Sequence, residues 1–330
     1  MKYRTFEVSE AADKKFASNI VEKDTTDLPT GNLLIRVEYS CLNYKDALSA
    51  SGSRAVTKNY PHTPGIDAAG EVVESDSPTF APGTKVIVTG YDLGMNTPGG
   101  FGQYIRVPTD WAVACPQGLD SRHSMMLGTA GLTAALCIEK LLHEGLKPKD
   151  GPVLVTGASG GVGILAVGIL AGLGFEVVAA TGKDSAHTLL QQQGASKVIN
   201  RSELAEDNPR PLLREQWAGA VDVVGGDILF NVIKSLRYGA SVAACGLVQS
   251  PAFQASVFPF ILRGVNLLGV DSVELPLTHK AAVWQKLATD WKLAKLDEVC
   301  KEITLDALQA ALDTLLQGGA TGRYLLNLQS

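Results

Sequence analysis

Along the first 120 residues, apolar and polar side chains alternate in short runs broken by turn formers. Leu33-Leu34-Ile35-Arg36-Val37-Glu38-Tyr39 alternates in part, as a strand with one buried face does. Gly70–Glu74, Lys85–Val88 and Gln103–Val107 read the same way, separated by Pro78, Pro82-Gly83 and Pro98-Gly99-Gly100. Short strands punctuated by Gly and Pro predict a barrel-like, all-β domain. From about Ser121 the texture changes. A long helical pattern over Met125–His143 leads into the turn Pro148-Lys149-Asp150-Gly151, and apolar strands then alternate with helical segments. The expected strands are Val153–Thr156, Glu176–Ala180, Lys197–Asn200, Val221–Val224 and Ser241–Cys245. Such alternation predicts a doubly wound parallel sheet, an α/β architecture of Rossmann type. Past Asp271 the pattern becomes two amphipathic helices, His279–Lys292 and Leu305–Leu316. A last strand, Tyr324–Leu328, is expected to return to the first domain. The domain boundaries read from the pattern are 1–122, 123–270 and 271–330.

Composition narrows the function classes. The 330 residues suffice for two domains, and 45% hydrophobic content supports a sizeable core. A net charge of −5 with no Lys/Arg run argues against a nucleic-acid partner. Val162–Phe175, the longest greasy segment in this reading, holds four interior glycines and is too short to cross a bilayer, so a buried helix and no membrane partner are expected. Five scattered cysteines without a C-x-x-C pair suit a reducing compartment. Met1–Glu7 lacks the apolar run of a secretory signal, so the expected location is cytoplasmic.

The most chemical stretch is Val153-Leu154-Val155-Thr156-Gly157-Ala158-Ser159-Gly160-Gly161-Val162-Gly163, where an apolar strand enters a glycine-rich turn and then a helix. Unencumbered N–H groups at a helix start face phosphates with a favourable dipole, which predicts dinucleotide binding. A triphosphate loop is excluded, because Gly-Lys-Ser/Thr does not close the turn. An NAD site places an acid at the end of the second strand, to hold the ribose hydroxyls. Here that strand ends Thr181-Gly182-Lys183, and Arg201 follows the third strand, a set of groups that favours a 2′-phosphate and hence NADPH. Asp184 is expected to cap the next helix.

The turn also fits the short-chain dehydrogenase fingerprint, but no tyrosine here has lysine four positions later. The chain instead resembles the medium-chain dehydrogenase/reductase superfamily over nearly its whole length. The marks are Asn43-Tyr44-Lys45-Asp46, Pro64-Gly65-Ile66-Asp67, Pro82-Gly83-Thr84-Lys85-Val86, Gly128-Thr129-Ala130-Gly131-Leu132-Thr133-Ala134 and the glycine turn. Zinc members place His-Glu after the glycine that matches Gly65. Here Ile66-Asp67 stands there, and the four clustered cysteines of a structural zinc lobe do not occur. A tetrahedral zinc site is not expected, and His62 is read as structural. Within the superfamily the chain looks most like the zinc-free acrylyl-CoA reductase (NADPH) branch, also known as quinone oxidoreductases. The stretches Leu42–Leu48, Gly65–Gly70, Met126–Gly131, Ala244–Leu247, Pro259–Val265 and Gly269–Val273 carry that likeness.

The resemblance implies a GroES-like β-barrel catalytic domain over 1–122, a Rossmann domain over 123–270, and a return to the catalytic domain over 271–330. It also implies a homodimer joined through the nucleotide domain. By matching motif, Tyr44 and Thr129 belong near the nicotinamide end. Ser159, Gly160, Gly161 and Val162 belong at the pyrophosphate, and Thr181, Gly182, Lys183 and Arg201 at the adenosine phosphate. Leu247, Ile261 and Ser272 would line the cofactor cleft, with Arg323 nearby; periodicity alone would make Leu247 and Ile261 core residues. The implied reaction is hydride addition to the β-carbon of an α,β-unsaturated thioester, acrylyl-CoA to propionyl-CoA. Tyr44 is the candidate proton donor to the α-carbon; water as the donor, with Tyr44 an aromatic wall, is the other reading. Two further readings stay open: a quinone or enone reductase on the same fold, and a non-catalytic NADPH-binding sensor.

Overall fold

The computed structural model describes residues 1–12, 14–205 and 208–329. In chain order its elements are β1 (Lys2–Glu10), β2 (Phe16–Asp24), β3 (Leu33–Cys41), α1 (Tyr44–Ala50), β4 (Asp67–Ser75), β5 (Lys85–Thr89), β6 (Tyr104–Val107), β7 (Ala112–Ala114) and α2 (Ser121–His143). There follow β8 (Val153–Val155), α3 (Gly161–Gly172), β9 (Val177–Thr181), α4 (His187–Gln192), β10 (Lys197–Asn200), β11 (Trp217–Asp222), α5 (Gly226–Ser235) and β12 (Leu236–Ala244). The last are α6 (Phe258–Arg263), β13 (Asn266–Gly269), α7 (Leu277–Ala288), β14 (Cys300–Ile303), α8 (Leu308–Leu316) and β15 (Arg323–Asn327). They fall into two units. Unit 1 comprises Met1–Thr129, Val273–Thr289 and Leu296–Ser330; unit 2 comprises Ala130–Ser272 and Asp290–Lys295.

Unit 1 is built mainly on antiparallel pairing, with β14 parallel to β15. Its seven-stranded sheet runs β14-β15-β3-β4-β5-β7, with β6 also on β3. β6 pairs Leu33–Arg36 and β15 pairs Tyr39–Cys41, so β3 divides one edge between two partners. The last strand therefore does come back to the first sheet. A separate hairpin, β1 on β2, pairs Lys2 with Asp24 through to Glu10 with Phe16. Apolar strand side chains, among them Val8, Leu33, Ile35, Val37, Val72, Val88 and Leu326, form one core together with Phe101 from the loop before β6. Each such side chain taken fully out of water contributes about 1.5–3 kcal/mol.

Unit 2 has six parallel strands in the order β10-β9-β8-β11-β12-β13. The order reverses between β8 and β11, and at such a switch point the C-terminal strand ends leave a crevice. The core sits between sheet and helices, with Leu154, Val178, Ala220, Val232, Ile233 and Val242 at its heart. α3 is apolar all round and buried, as expected of the greasy segment at 162–175. α2 is longer and is apolar enough to cross a bilayer by length and composition, yet 78% of its most apolar window is buried inside the protein.

Candidate functional site

Two sets of polar groups stand out, one in each unit. In unit 2 the chain leaves β8 at the switch point and turns through Gly157, whose φ of +55° lies in the left-handed region that favours glycine. A side chain there would also strike Val223 and Val224. α3 then starts at Gly161 with Gly160 as its N-cap and no side-chain cap, so its first N–H groups keep their hydrogen-bonding capacity. Gly163 lets the helix close on the turn: a Cβ there would lie 2.4 Å from the Gly157 carbonyl oxygen.

Side chains brace this turn from both sides. Ser159 Oγ lies 2.8 Å from Thr181 Oγ1, tying the turn to the tip of β9. Thr181 Oγ1 in turn accepts from the Lys183 N–H at 3.2 Å. On the other flank Thr156 Oγ1 donates to Asp222 Oδ1 at 2.6 Å, and Asp222 Oδ2 accepts from the Gly225 N–H at 2.8 Å. Burial pushes the Asp222 carboxyl above its ordinary range, and these hydrogen bonds pull it back. Asp222 was not among the residues expected at the site. It shows in the sequence only as one acid closing an apolar strand.

At the β9 tip the structure brings the two expected cations together. Gly182 makes room for the Arg201 stem, since a Cβ there would sit 2.6 Å from Arg201 Nε. Burial and then the nearby Arg201 charge lower the Lys183 ammonium. One expectation is corrected here. Asp184 does not cap the next helix: Lys183 holds the N-cap position of the short 3-10 turn Asp184–Ala186 without a side-chain cap bond, and the Asp184 carboxylate faces His187 at 3.9 Å.

The other unit 2 candidates are scattered. Ser272 is buried and accepts from Thr133 Oγ1 at 2.8 Å. Leu247 follows β12 beside Gly225 and is 58% exposed, and Ile261 on α6 is 69% exposed. Neither is the core residue that periodicity implies. Ile261 donates its N–H to Val257 O, within its own helix turn.

Unit 1 holds a buried polar cluster around Asp67, at the start of β4. α2 kinks at Gly128, which adopts φ 53° and ψ −157°. The kink turns the Thr129 N–H onto Asp67 Oδ2 at 2.9 Å, while Thr129 Oγ1 donates to Asp67 Oδ1 at 2.5 Å. Asn43 Nδ2 donates to Asp67 Oδ2 at 2.8 Å, and the Cys41 thiol lies 3.0 Å from the same oxygen. Arg323, first residue of β15, is buried and donates to Met126 O and Leu42 O, both at 3.2 Å, to Asn43 Oδ1 at 3.4 Å and to Cys41 Sγ at 3.0 Å. Only glycine fits at 128, where a Cβ would meet Cys41 Sγ, Asp67 Oδ2 and Arg323 Nη2, all within 3 Å.

A second carboxylate completes the cluster. Asp46 accepts from the Asn43 N–H at 2.7 Å and from the Ile66 N–H at 2.9 Å, closing the first turn of α1. Burial, and then the charge of Asp67, raise its carboxyl to about 7 against the pull of those donors. Burial likewise drives the Cys41 thiol far up, Asp67 adds to the rise, and Arg323 opposes it. Tyr44 follows Asn43 at the first position of α1 and is 37% exposed. Sequence reasoning singled out Tyr44, Thr129 and Arg323 and missed Asp67, Asp46, Asn43 and Cys41 as their common frame. His62 is buried with Nε2 3.0 Å from the Gly94 carbonyl oxygen, and burial lowers its pKa. Among the described residues no three His, Cys, Asp or Glu side chains form a metal-holding group.

Comparison with known proteins decides the family. Residues 29–117 match the alcohol dehydrogenase GroES-like domain, and residues 161–291 match the zinc-binding dehydrogenase domain. The acrylyl-CoA reductase AcuI of Ruegeria pomeroyi is 43% identical over 96% of this chain and 96% of its own.

The chain belongs to the zinc-free branch of the medium-chain dehydrogenase/reductase superfamily.

Its fold is that of the family, a GroES-like domain with a Rossmann-type parallel sheet. YhfP of Bacillus subtilis, which carries a quinone oxidoreductase name, is 45% identical over 92% of each chain. Its crystal structure with NAD bound superposes with a TM-score of 0.96 over 99% of this chain and all of that one. The YhdH oxidoreductase of Salmonella enterica, solved in complex with NADP, gives a TM-score of 0.96 at 40% identity with both chains fully covered.

Proposed function

We propose that this family member is an NADPH-dependent reductase of activated C=C bonds, with acrylyl-CoA or a close relative as its acceptor. The observation that carries the cofactor assignment is the glycine turn at the switch point of a parallel sheet, beside the tip of β9, which ends in Thr181 and not in an acid and where Lys183 and Arg201 come together. The acceptor class is supported by the full-length likeness to an enzyme named acrylyl-CoA reductase. In this reading 123–270 is the dinucleotide-binding domain, while 1–122 and 271–330 serve the substrate.

The residues fit a phosphorylated dinucleotide. The α3 N-terminus and the turn at Ser159–Val162 would hold pyrophosphate. Thr181, Gly182, Lys183 and Arg201 would hold the adenosine phosphate, with Leu247, Ile261 and Ser272 along the cofactor. When bound, NADPH supplies the hydride for the β-carbon. The chain's part is orientation and charge. Thr129 has already committed its hydroxyl proton to Asp67, so it offers lone pairs and accepts from an amide such as that of nicotinamide. Arg323, through Asn43 and Cys41, keeps the frame around Asp67 in place. Tyr44 Oη makes no hydrogen bond among the described residues and is the one candidate here to deliver the proton to the α-carbon. Tyr44→Phe separates the roles: a kcat within a few-fold of wild type leaves Tyr44 as a wall and water as the donor, whereas a loss of about 100-fold makes it the acid.

The open outer edge of β13, with exposed Leu262 and Leu267 on and beside it, supports a homodimer joined through unit 2. Five free thiols accord with a cytoplasmic location. The deciding assay is NADPH oxidation with acrylyl-CoA, crotonyl-CoA and a benzoquinone side by side. Turnover fastest with the thioesters is expected. Turnover with benzoquinone alone would make the chain a quinone reductase, and binding of NADPH without turnover would make it a sensor.

A further inference from the structure

Two lysines of unit 1, one of them the residue after Tyr44, flank one loop. The loop Asp92–Thr97 is knitted by its first residue, whose carboxylate accepts from Asn96 Nδ2 at 2.8 Å and Thr97 Oγ1 at 2.9 Å. Lys58 is fastened to this loop by its backbone, with its N–H donating to Asn96 Oδ1 at 3.2 Å, and its side chain is exposed. Lys45 follows Tyr44 on α1, and its ammonium reaches Met95 Sδ at 4.0 Å. A thioether is a weak acceptor and does nothing to neutralise an ammonium.

Neighbouring cations of the same unit are paired. Arg54 bonds Glu10 and lies over the Phe16 and Tyr60 rings, and Lys85 bonds both Glu38 and Glu71. Among the described residues neither Lys45 nor Lys58 has an ion-pair partner. Two lysines anchored at adjacent loop residues, Lys45 through its ammonium on Met95 and Lys58 through its backbone on Asn96, outnumber the one carboxylate of that loop, Asp92, and make a local anion-attracting face in a chain of net charge −5. A quinone or a simple enone carries no charge for such a face to meet. A coenzyme A thioester carries a diphosphate and a ribose phosphate on a long flexible arm.

We infer that Lys45 and Lys58 hold the phosphates of a coenzyme A thioester whose acyl end is delivered to Tyr44. The inference rests on the thioester reading above and extends it, by naming the residues that separate a coenzyme A ester from an uncharged acceptor. Phosphate contacts of this kind act through remote binding energy, which improves kcat/KM for the whole substrate and not for its truncated form.

The test compares acrylyl-CoA with acrylyl-pantetheine, which has the same reacting group and no phosphate. The wild-type enzyme is expected to favour the coenzyme A ester in kcat/KM by about tenfold or more, as two charge-assisted contacts would give. In the Lys45→Gln/Lys58→Gln double variant that ratio falls toward unity, while Lys149→Gln, an exposed lysine of unit 2, leaves it unchanged. A second measurement needs no variant. Between about 50 and about 300 mM KCl the wild-type KM for acrylyl-CoA rises several-fold and that for acrylyl-pantetheine stays level, because salt screens exposed charges. A double variant with the wild-type ratio, or salt-insensitive KM values for both esters, overturns the inference and leaves the reductase assignment standing. Benzoquinone turnover with neither ester reduced overturns both.

Discussion

The glycine turn of unit 2 and the Asp67 cluster of unit 1 solve opposite problems with opposite means. In the proposed reading the turn prepares for a charge that comes from outside, and it does so mostly with backbone N–H groups on a seven-residue stretch, Gly157 to Gly163. The cluster keeps charges of its own out of water, using side chains from 41, 43, 46, 67, 129 and 323. Backbone donors cost little to hold in place, because the strand and helix fix them already. Buried ionised side chains are costly unless every partner is present, so the cluster is the more brittle of the two.

That contrast can be broken at four places. Arg323→Met is expected to do most damage, because it removes the buried cation of the cluster and leaves its acceptors, Met126 O, Leu42 O, Asn43 Oδ1 and Cys41 Sγ, without their donor. A loss of about 5 kcal/mol, read from the urea midpoint, would fit the removal of one partner from a buried ionic group. A loss below about 1 kcal/mol would show that the cluster tolerates vacancies as well as the turn does.

Next comes pH. The folded-state pKa of Asp46, raised to about 7, lies above its ordinary value of 3.8, so the folded protein binds this proton more tightly than the unfolded chain. Stability should therefore fall as pH rises from about 4 to about 7, by roughly 3–4 kcal/mol, and level off above. Asp46→Asn should flatten that slope. An unchanged slope would place the titration elsewhere.

The turn should answer in ligand affinity and not in stability. Lys183→Ala with Arg201→Ala is expected to cut kcat/KM for NADPH about 100-fold and to leave NADH within a few-fold, since only the extra phosphate meets the two cations. Equal losses for both cofactors would mean that the cations serve the fold. The smallest effect is expected from Ser159→Ala, which removes the bridge to Thr181: about 1 kcal/mol, seen as a several-fold rise in KM for NADPH.

The same contrast explains what the sequence revealed. The turn is local, so strand, glycines and helix start could be read in one line, and β10 runs from Lys197 to Asn200 as the pattern predicts. Strands with weaker local signals were harder to see. β11 begins at Trp217, before the expected Val221, because Ala218-Gly219-Ala220 has low strand propensity and is held by β8 and β12 on either side. β13 and β14, of four residues each, carry too few apolar positions to show a period. β1 and β2 hide behind charged outward faces, as in Lys2-Tyr3-Arg4-Thr5-Phe6-Glu7. For the cluster, the marks Asn43–Asp46, Ile66-Asp67 and Gly128-Thr129 were legible one by one as family resemblance. Their partnership was not, because it exists only once β3, β4, α2 and β15 are assembled.

The parallel sheet of unit 2 sorts its connections onto two rims, and only the rim after the strands carries the glycine turn and the cations. Gly145 and Gly239 lie on the other rim, ahead of β8 and at the front of β12, each with open space where a side chain would stand. A reporter dye or a surface tether attached at either neighbourhood would be anchored by the sheet and stand on the rim opposite the proposed nucleotide site, which makes that rim the natural handle for watching this protein bind its ligands one molecule at a time.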